Sequence, residues 1–443
     1  MEVRTAVTII DAPCGAGKTS WAIQYMNANK GKSFVYCTPF LDEIKRIRES
    51  CGWDRFKEPM PYTDGSKLTE FNTLLAKGEC IAVTHSTFLN ATDETLHAIA
   101  ENDYELILDE ALDVVKPFND IQSVAASPKQ SVSKADIDWL IECRHISIAT
   151  DFRVSWCGGA TEADFKFSEV RRLAELERLY CVNRTFLVGI YPPKVFQAFK
   201  QVYALTYYFK GYSLKSYFDM FNIKYEYASV INDDGGYKII PYDPSIDLTF
   251  RAKCAELITV CDNDRLNPPR ALSKRWFDKA DESDIATLKK HIASYFSHLE
   301  PKPMAKDIGW TVFQEYQAKL KGKGYTRVRN VSKSEQIGLS TGELDRLESE
   351  TSCFIACNSR ATNMYRNRWA LAYLINLRQN PYIKDLFVNA GVRYVEDDYS
   401  IANLLQWLCR SRLRDGLPIN LYLPSARMRK LLSDFTGGVS KTI

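Results

Sequence analysis

The hydrophobic and polar positions of this 443-residue chain switch repeatedly between two periods. An apolar run, VTII, ends in a glycine-rich turn and predicts a first strand. Beyond Lys18, the placing of Trp21, Ile23, Tyr25 and Met26 predicts a helix. A second strand is expected at Ser33–Cys37, and a helix at Leu41–Arg48 with Leu41, Ile44 and Ile47 on one face. Further strands are expected at Cys80–Thr84 and Tyr104–Leu108. Strands alternating with helices imply a parallel sheet wrapped on both faces.

Residues 117–185 break this texture with a Ser/Lys/Asp-rich segment, a Gly-Gly pair and a charged amphipathic stretch, and read as an insertion. Strand texture returns at Val202–Tyr207, and Asp233–Gly236 is a turn that puts a domain boundary near 235–250. The second half predicts strands at Glu256–Cys261, Thr351–Cys357 and Ile419–Leu423. Helices are expected at Ile285–Phe296, Trp310–Leu320, Tyr365–Leu377, Ile401–Leu413 and Ser425–Phe435. The fold class is therefore α/β with parallel sheets, divided into 1–240, which carries the insertion, and 241–443.

Composition adds little to this picture. Apolar content of 45% and charged content of 26% are ordinary for a globular chain. A net charge of +3 is a slight pull toward an anionic partner. The twelve cysteines include no CxxC pair, and free buried thiols are expected, which fits a reducing compartment. The start MEVRTAVTIID is too short and polar for a signal peptide, and no run approaches ~20 apolar residues. The expectation is a cytoplasmic protein without a membrane partner.

The chemistry concentrates at two places. APCGAGKT (Ala12–Thr19) has the spacing of a phosphate-binding loop between a strand and a helix. Gly15 and Gly17 let backbone N–H groups turn toward phosphates, and the helix start adds a favourable dipole. Ala12, Gly15, Ala16, Gly17, Lys18, Thr19 and Ser20 are the candidate nucleotide contacts. Lys18 would reach the β- and γ-phosphates of ATP, and Thr19 would hold Mg²⁺. LILDEA (Leu106–Ala111) puts Asp109 at the end of a buried strand, expected beside the strand of the phosphate loop. Asp109 would bind Mg²⁺ through water, and Glu110 would polarise the attacking water. The basic stretch 319–333 reads either as a track for a phosphate backbone or as a solvated hairpin. The histidines show no metal-ligand spacing.

Asp109-Glu110-Ala111-Leu112 resembles the DExx box of superfamily 2 helicases, and further segments resemble that family's motifs in order. YCTPFLDEI (Tyr36–Ile44) resembles motif Ia, and VTHSTF (Val83–Phe88) the strand-loop that follows it. ALTYYF (Ala204–Phe209) falls where motif III couples hydrolysis to strand binding through a hydroxyl, here that of Thr206. NSRATNMY (Asn358–Tyr365) resembles motif V. QWLCRSR (Gln406–Arg412) resembles motif VI, with Cys409 where Gly is usual. The ensemble also resembles helicase-like proteins of phages and prophages.

The resemblance implies two RecA-like domains, with ATP and Mg²⁺ bound and Glu110, Lys18 and Gln406 serving catalysis. Arg410 or Arg412 would be the arginine finger. Contacts to DNA or RNA would come from Thr38, Pro39, Thr84, His85, Arg360, Thr362 and Asn363. A monomer that works with replication or recombination proteins is implied. Two rivals stay open: a terminase-type packaging ATPase, for which Asp262, Asp264, Asp397 and Asp398 are suggestive acids, and an ATP-gated clamp on nucleic acid.

Overall fold

The computed structural model describes residues 7–60, 66–121, 131–158, 166–267, 270–329, 331–336, 339, 343–344, 347, 350–357, 364–438 and 441–442. The chain forms two compact units. The first holds residues 1–11, 18–241 and 379–396; the second holds 12–17, 242–378 and 397–443. Two short segments thus belong to the unit that their neighbours in sequence do not.

The first unit is built on strands β1 (Val7–Asp11), β2 (Phe34–Thr38), β3 (Phe56–Lys57), β4 (Cys80–Thr84) and β5 (Glu105–Asp109). After the insertion, with its strands β6 (Val115–Pro117), β7 (Ile146–Ile148), β8 (Val154–Trp156), β9 (Leu179–Val182) and β10 (Phe186–Ile190), come β11 (Gln201–Thr206), β12 (Tyr225–Asp233) and β13 (Gly236–Pro241). The main sheet runs β13-β12-β1-β11-β5-β2-β4-β3. Its pairings are parallel except for the hairpin β12–β13. β2 and β5 are buried along their whole length, as strands covered on both faces must be, and this is why they read as apolar runs.

The order corrects one expectation. β5 is not beside β1: β11 lies between them, pairing Asp11 with Thr206 on one side and Leu205 with Asp109 on the other. A strand that lies about ninety residues further along the chain cannot be placed by local pattern.

The insertion has its own core. Ile137, Leu140, Val170, Leu173, Leu179 and Leu187 pack together between the helices Lys134–Glu142 and Ser168–Glu175 and the antiparallel sheet β6-β10-β9.

The second unit is built on β14 (Ile258–Val260), β15 (Ile308–Thr311), β16 (Ala370–Tyr373), β17 (Ile419–Tyr422) and β18 (Lys441–Thr442), paired in parallel in the order β15-β16-β17-β14-β18. Two expectations are corrected here. Trp310–Leu320 is not one helix, because its start is β15 and only Gln314–Leu320 turns helical. Tyr365–Leu377 is not a helix either: it contains β16. Both are short apolar runs buried on both faces, in which period alone does not separate strand from helix. Thr351–Cys357 forms no regular strand and contributes two isolated bridges, Phe354 to Trp310 and Ser352 to Arg327. Among the described residues no helix is long and apolar enough to cross a membrane.

Candidate functional site

β1 ends at Asp11, and the helix Lys18–Ala28 begins after six intervening residues. Gly15 and Gly17 adopt φ of +82° and +94°, the left-handed region where a Cβ is penalised. Ala16 N–H donates to the Pro13 carbonyl at 3.2 Å, closing the turn. The loop therefore has the backbone form its glycines predict, and Lys18, Thr19 and Ser20 are half-exposed at the helix start. Amides at such a start point outward and favour an anion.

The parallel strands deliver their C-terminal residues to one edge of the sheet. Asp11, Thr206, Asp109, Thr38 and Thr84 close β1, β11, β5, β2 and β4, which are consecutive in the sheet. Ligands of open α/β sheets gather at this edge. Asp109 is only 6% exposed, and Tyr36 Oη donates to its Oδ2 at 2.9 Å. His85 Nε2 donates to the Asp109 carbonyl at 2.9 Å, which sets the ring's tautomer. Burial pushes the Asp109 carboxyl up to about 7, and the charges of Glu110 and Glu43 push the same way; the Tyr36 hydrogen bond and the Lys18 ammonium oppose them. Lys18 and Asp109 thus act on one another electrostatically across the width of β11.

Glu110 leaves β5 with φ of +65° and donates its N–H to the Leu205 carbonyl at 3.0 Å. That conformation costs an ordinary residue about 1–2 kcal/mol, and it takes Glu110 out of the buried strand into a half-exposed position. The neighbouring strand end does the same. Tyr208 has φ of +61°, and its N–H donates to Asp11 Oδ1 at 2.6 Å, while Phe209 N–H donates to Oδ2 at 3.1 Å. Asp11 therefore ties the end of β1 to the turn after β11. The Oγ1 atoms of Thr38 and Thr206 are buried with no hydrogen-bond partner.

Other sequence-selected residues fall as follows. Thr38 and His85 are buried, whereas Pro39 and Thr84 are half-exposed. Thr84 Oγ1 also accepts Thr87 N–H at 3.3 Å. Arg360, Thr362 and Asn363 lie outside the described residues. In the second unit Gln406 is half-exposed on the helix Glu396–Leu408. Arg410 is 4% exposed, and its Nη1 donates to the Ala356 carbonyl at 3.0 Å. Arg412 donates through Nε to the Pro418 carbonyl, and its guanidinium lies 5.3 Å over the Trp369 ring. The glycine-containing segment 12–17 belongs to this unit and is brought to residues 409–414. A Cβ on Gly15 would meet the Arg414 carbonyl at 3.0 Å, and Cys14 is disulfide-bonded to Cys409. This pair corrects the expectation of free thiols for two cysteines, while the other ten are free and mostly buried as expected; a pairing across 395 residues leaves no local signal.

Sequence reading missed Asp11, Tyr36, Glu43 and the Cys14–Cys409 pair. Asp11 had a signal, because it closes the strand just before the loop. Tyr36 had none, since it lies inside an apolar strand. Among the described residues no three of His, Cys, Asp or Glu gather to hold a metal, Asp262, Asp264, Asp397 and Asp398 included.

The architecture is that of a mixed α/β protein with large parallel sheets, Rossmann-like in its second unit. The chain belongs to the YonV family. It is 33% identical to the SPbeta prophage-derived uncharacterized protein YonV of Bacillus subtilis (strain 168), over 97% of this chain and 98% of the relative. Residues 252–436 match the YonV C-terminal Rossmann-like domain. Among solved structures, S. tokodaii Xpd4 is similar with a TM-score of 0.47 and 13% identity, covering 99% of this chain and 96% of that one. The DUF1998 helicase MrfA bound to DNA is similar with a TM-score of 0.35 and 11% identity, covering 99% of this chain and 47% of that one.

Proposed function

We propose that the chain is a nucleic-acid-dependent ATPase of the superfamily 2 helicase type, coupling ATP hydrolysis to movement along, or unwinding of, DNA or RNA. The observation that carries this reading is the pairing of a glycine-formed loop ending in Lys18 with a buried carboxyl, Asp109, that lies in the field of the Lys18 ammonium. The amides of residues 15–19 would receive the phosphates, and Lys18 would neutralise their charge.

Mg²⁺ fits the donor set. Thr19 and Asp109 offer hard oxygens, the ligand type this ion takes. The ion would supply charge neutralisation at the phosphates. Thr19 and Asp109 would be the residues to hold it. Glu110, turned out of the strand, is the group to orient the attacking water. Pro39 and Thr84 are the described candidates to touch the nucleic-acid backbone, since Thr38 and His85 are buried. The orphan hydroxyl of Thr206 lies between the Asp11 and Asp109 strand ends, where a change in phosphate occupancy would offer it a partner.

ATP turnover measured with Mg²⁺, alone and with single-stranded DNA or RNA, tests this. Wild type should hydrolyse ATP and be stimulated by one or both nucleic acids. Lys18→Ala should lose on the order of 10²-fold or more in turnover. Glu110→Gln should also lose turnover but still bind ATP. No hydrolysis by wild type under any of these conditions would falsify the proposal.

A further inference from the structure

Apart from the strand-edge site, the second unit holds a cavity of about 340 Å³ between the basic stretch and the segment that precedes residue 353. That volume is at the small end of the range for ligand cavities, ~300–1,000 Å³.

Its floor is held by backbone. Residues Arg327 and Ser352 form an antiparallel bridge, Val328 N–H donates to the Thr351 carbonyl at 2.8 Å, and Cys353 N–H donates to the Thr326 carbonyl at 3.0 Å. Trp310 N–H donates to the Cys353 carbonyl at 3.0 Å, which ties this pair of segments to β15. Tyr325 anchors the basic stretch from below: its ring is buried and its hydroxyl donates to the Leu320 carbonyl at 2.7 Å. Gly322 is required there, because a Cβ would fall 2.4 Å from the Tyr325 hydroxyl.

Three kinds of group line this cavity, of which Thr326, Gln336, Thr351 and Ser352 are neutral and polar. Val331, Leu344 and Leu347 give it an aliphatic side. Lys321 and Arg327 give it a cationic one. Both cations are exposed, and neither has an ion pair among the described residues, whereas Arg329 is paired with Glu335 at 2.8 Å. The stretch also carries Lys323, exposed and likewise without an ion pair among the described residues. Unpaired cations beside an aliphatic wall match a ligand that is anionic at one end and flat and apolar at the other.

We propose that this cavity takes one nucleotide of a single strand of nucleic acid, its phosphate on Lys321 and Arg327 and its base against Leu344, Leu347 and Val331. The assignment rests on the nucleic-acid reading above and names a second contact region for it. A single strand is required, because a paired base has no face or edge free to enter a cavity. Of the two readings of the basic stretch, it selects the phosphate track.

The test is anisotropy of labelled oligo-dT and oligo-U on the full chain, over a salt series. Lys321→Ala with Arg327→Ala should weaken binding by about tenfold or more and make the salt slope shallower by about 1.4, the value for two lost phosphate contacts on a single strand. Leu344→Ala should weaken binding and leave the slope unchanged. Hydrolysis without nucleic acid should be unaltered in both variants. If wild type binds and the double variant matches it in affinity and slope, the cavity assignment falls and the ATPase reading stands. Equal weakening of duplex and single-strand binding overturns insertion of a base. Failure of wild type to bind either oligonucleotide overturns both this assignment and the nucleic-acid reading.

Discussion

Asp109 shows how one residue's environment turns a common carboxylate into a sensor of its surroundings. Its carboxyl is raised from 3.8 to about 7, chiefly because burial penalises the charged form. The folded state therefore holds this proton more tightly than the unfolded chain does. The resulting stabilisation is fully present below pH 3.8 and is lost as pH rises to about 7. Replacing Asp109 by Asn removes the titration while keeping an oxygen for the Tyr36 hydroxyl. Thermal melts without ATP or Mg²⁺ should show the variant gaining on wild type between pH 4 and pH 7, by up to about 4 kcal/mol. At acid pH the two should melt alike. A variant that lost stability at pH 7 would show that the charged carboxylate is the favoured form. The placing of Lys18 at a helix start and of Asp109 at a strand end was legible in the sequence, because loop and strand-end signals are local. Their partners Tyr36 and Glu43 were not, since each reaches Asp109 from another element.

At the scale of elements, parallel strands gather their ends but do not by themselves hold the turns that follow. Asp11 supplies that hold, accepting the N–H groups of Tyr208 and Phe209 and so supporting the left-handed turn after β11. Asp11→Ala strips two backbone donors of a charged acceptor, and each such bond is worth about 1.5–3 kcal/mol. Urea unfolding of the variant should show a loss of at least about 2 kcal/mol, with an unchanged m-value. An unchanged midpoint would mean that the turn is held by other contacts. The elements themselves were read well where amphipathic period or turn chemistry marked them, as in the helix Leu41–Cys51 and the turn Asp233–Gly236 that joins β12 to β13. They were misread at β15 and β16, where burial on both faces removes the polar positions that would reveal the period.

At the scale of the whole molecule, membership of a unit does not follow position in the chain. The helix Pro381–Asn389 comes from the second half yet belongs to the first unit. There Tyr382 stacks on Phe186 with ring centroids 4.0 Å apart, and Asn183 donates to Asp385 at 3.0 Å. An aromatic pair of this kind adds about 0.5–1.5 kcal/mol beyond the area it buries. Tyr382→Ala should speed hydrogen exchange across 381–389 and leave β14–β17 as protected as before. Faster exchange throughout the second unit would show that the helix belongs there instead.

The sequence alone determined the alternation of strands and helices, the backbone form of the loop that ends at Lys18, and the carboxylates that close β5. These follow from side-chain period and from the few residues able to adopt a required φ. Tertiary structure alone decided that β11 separates β1 from β5, that Cys14 meets Cys409, that Thr38 is buried, and that Lys321 and Arg327 share a cavity with Leu344. None of these leaves a local pattern, and the first two join residues far apart in the chain; such outcomes are chosen by how whole surfaces pack.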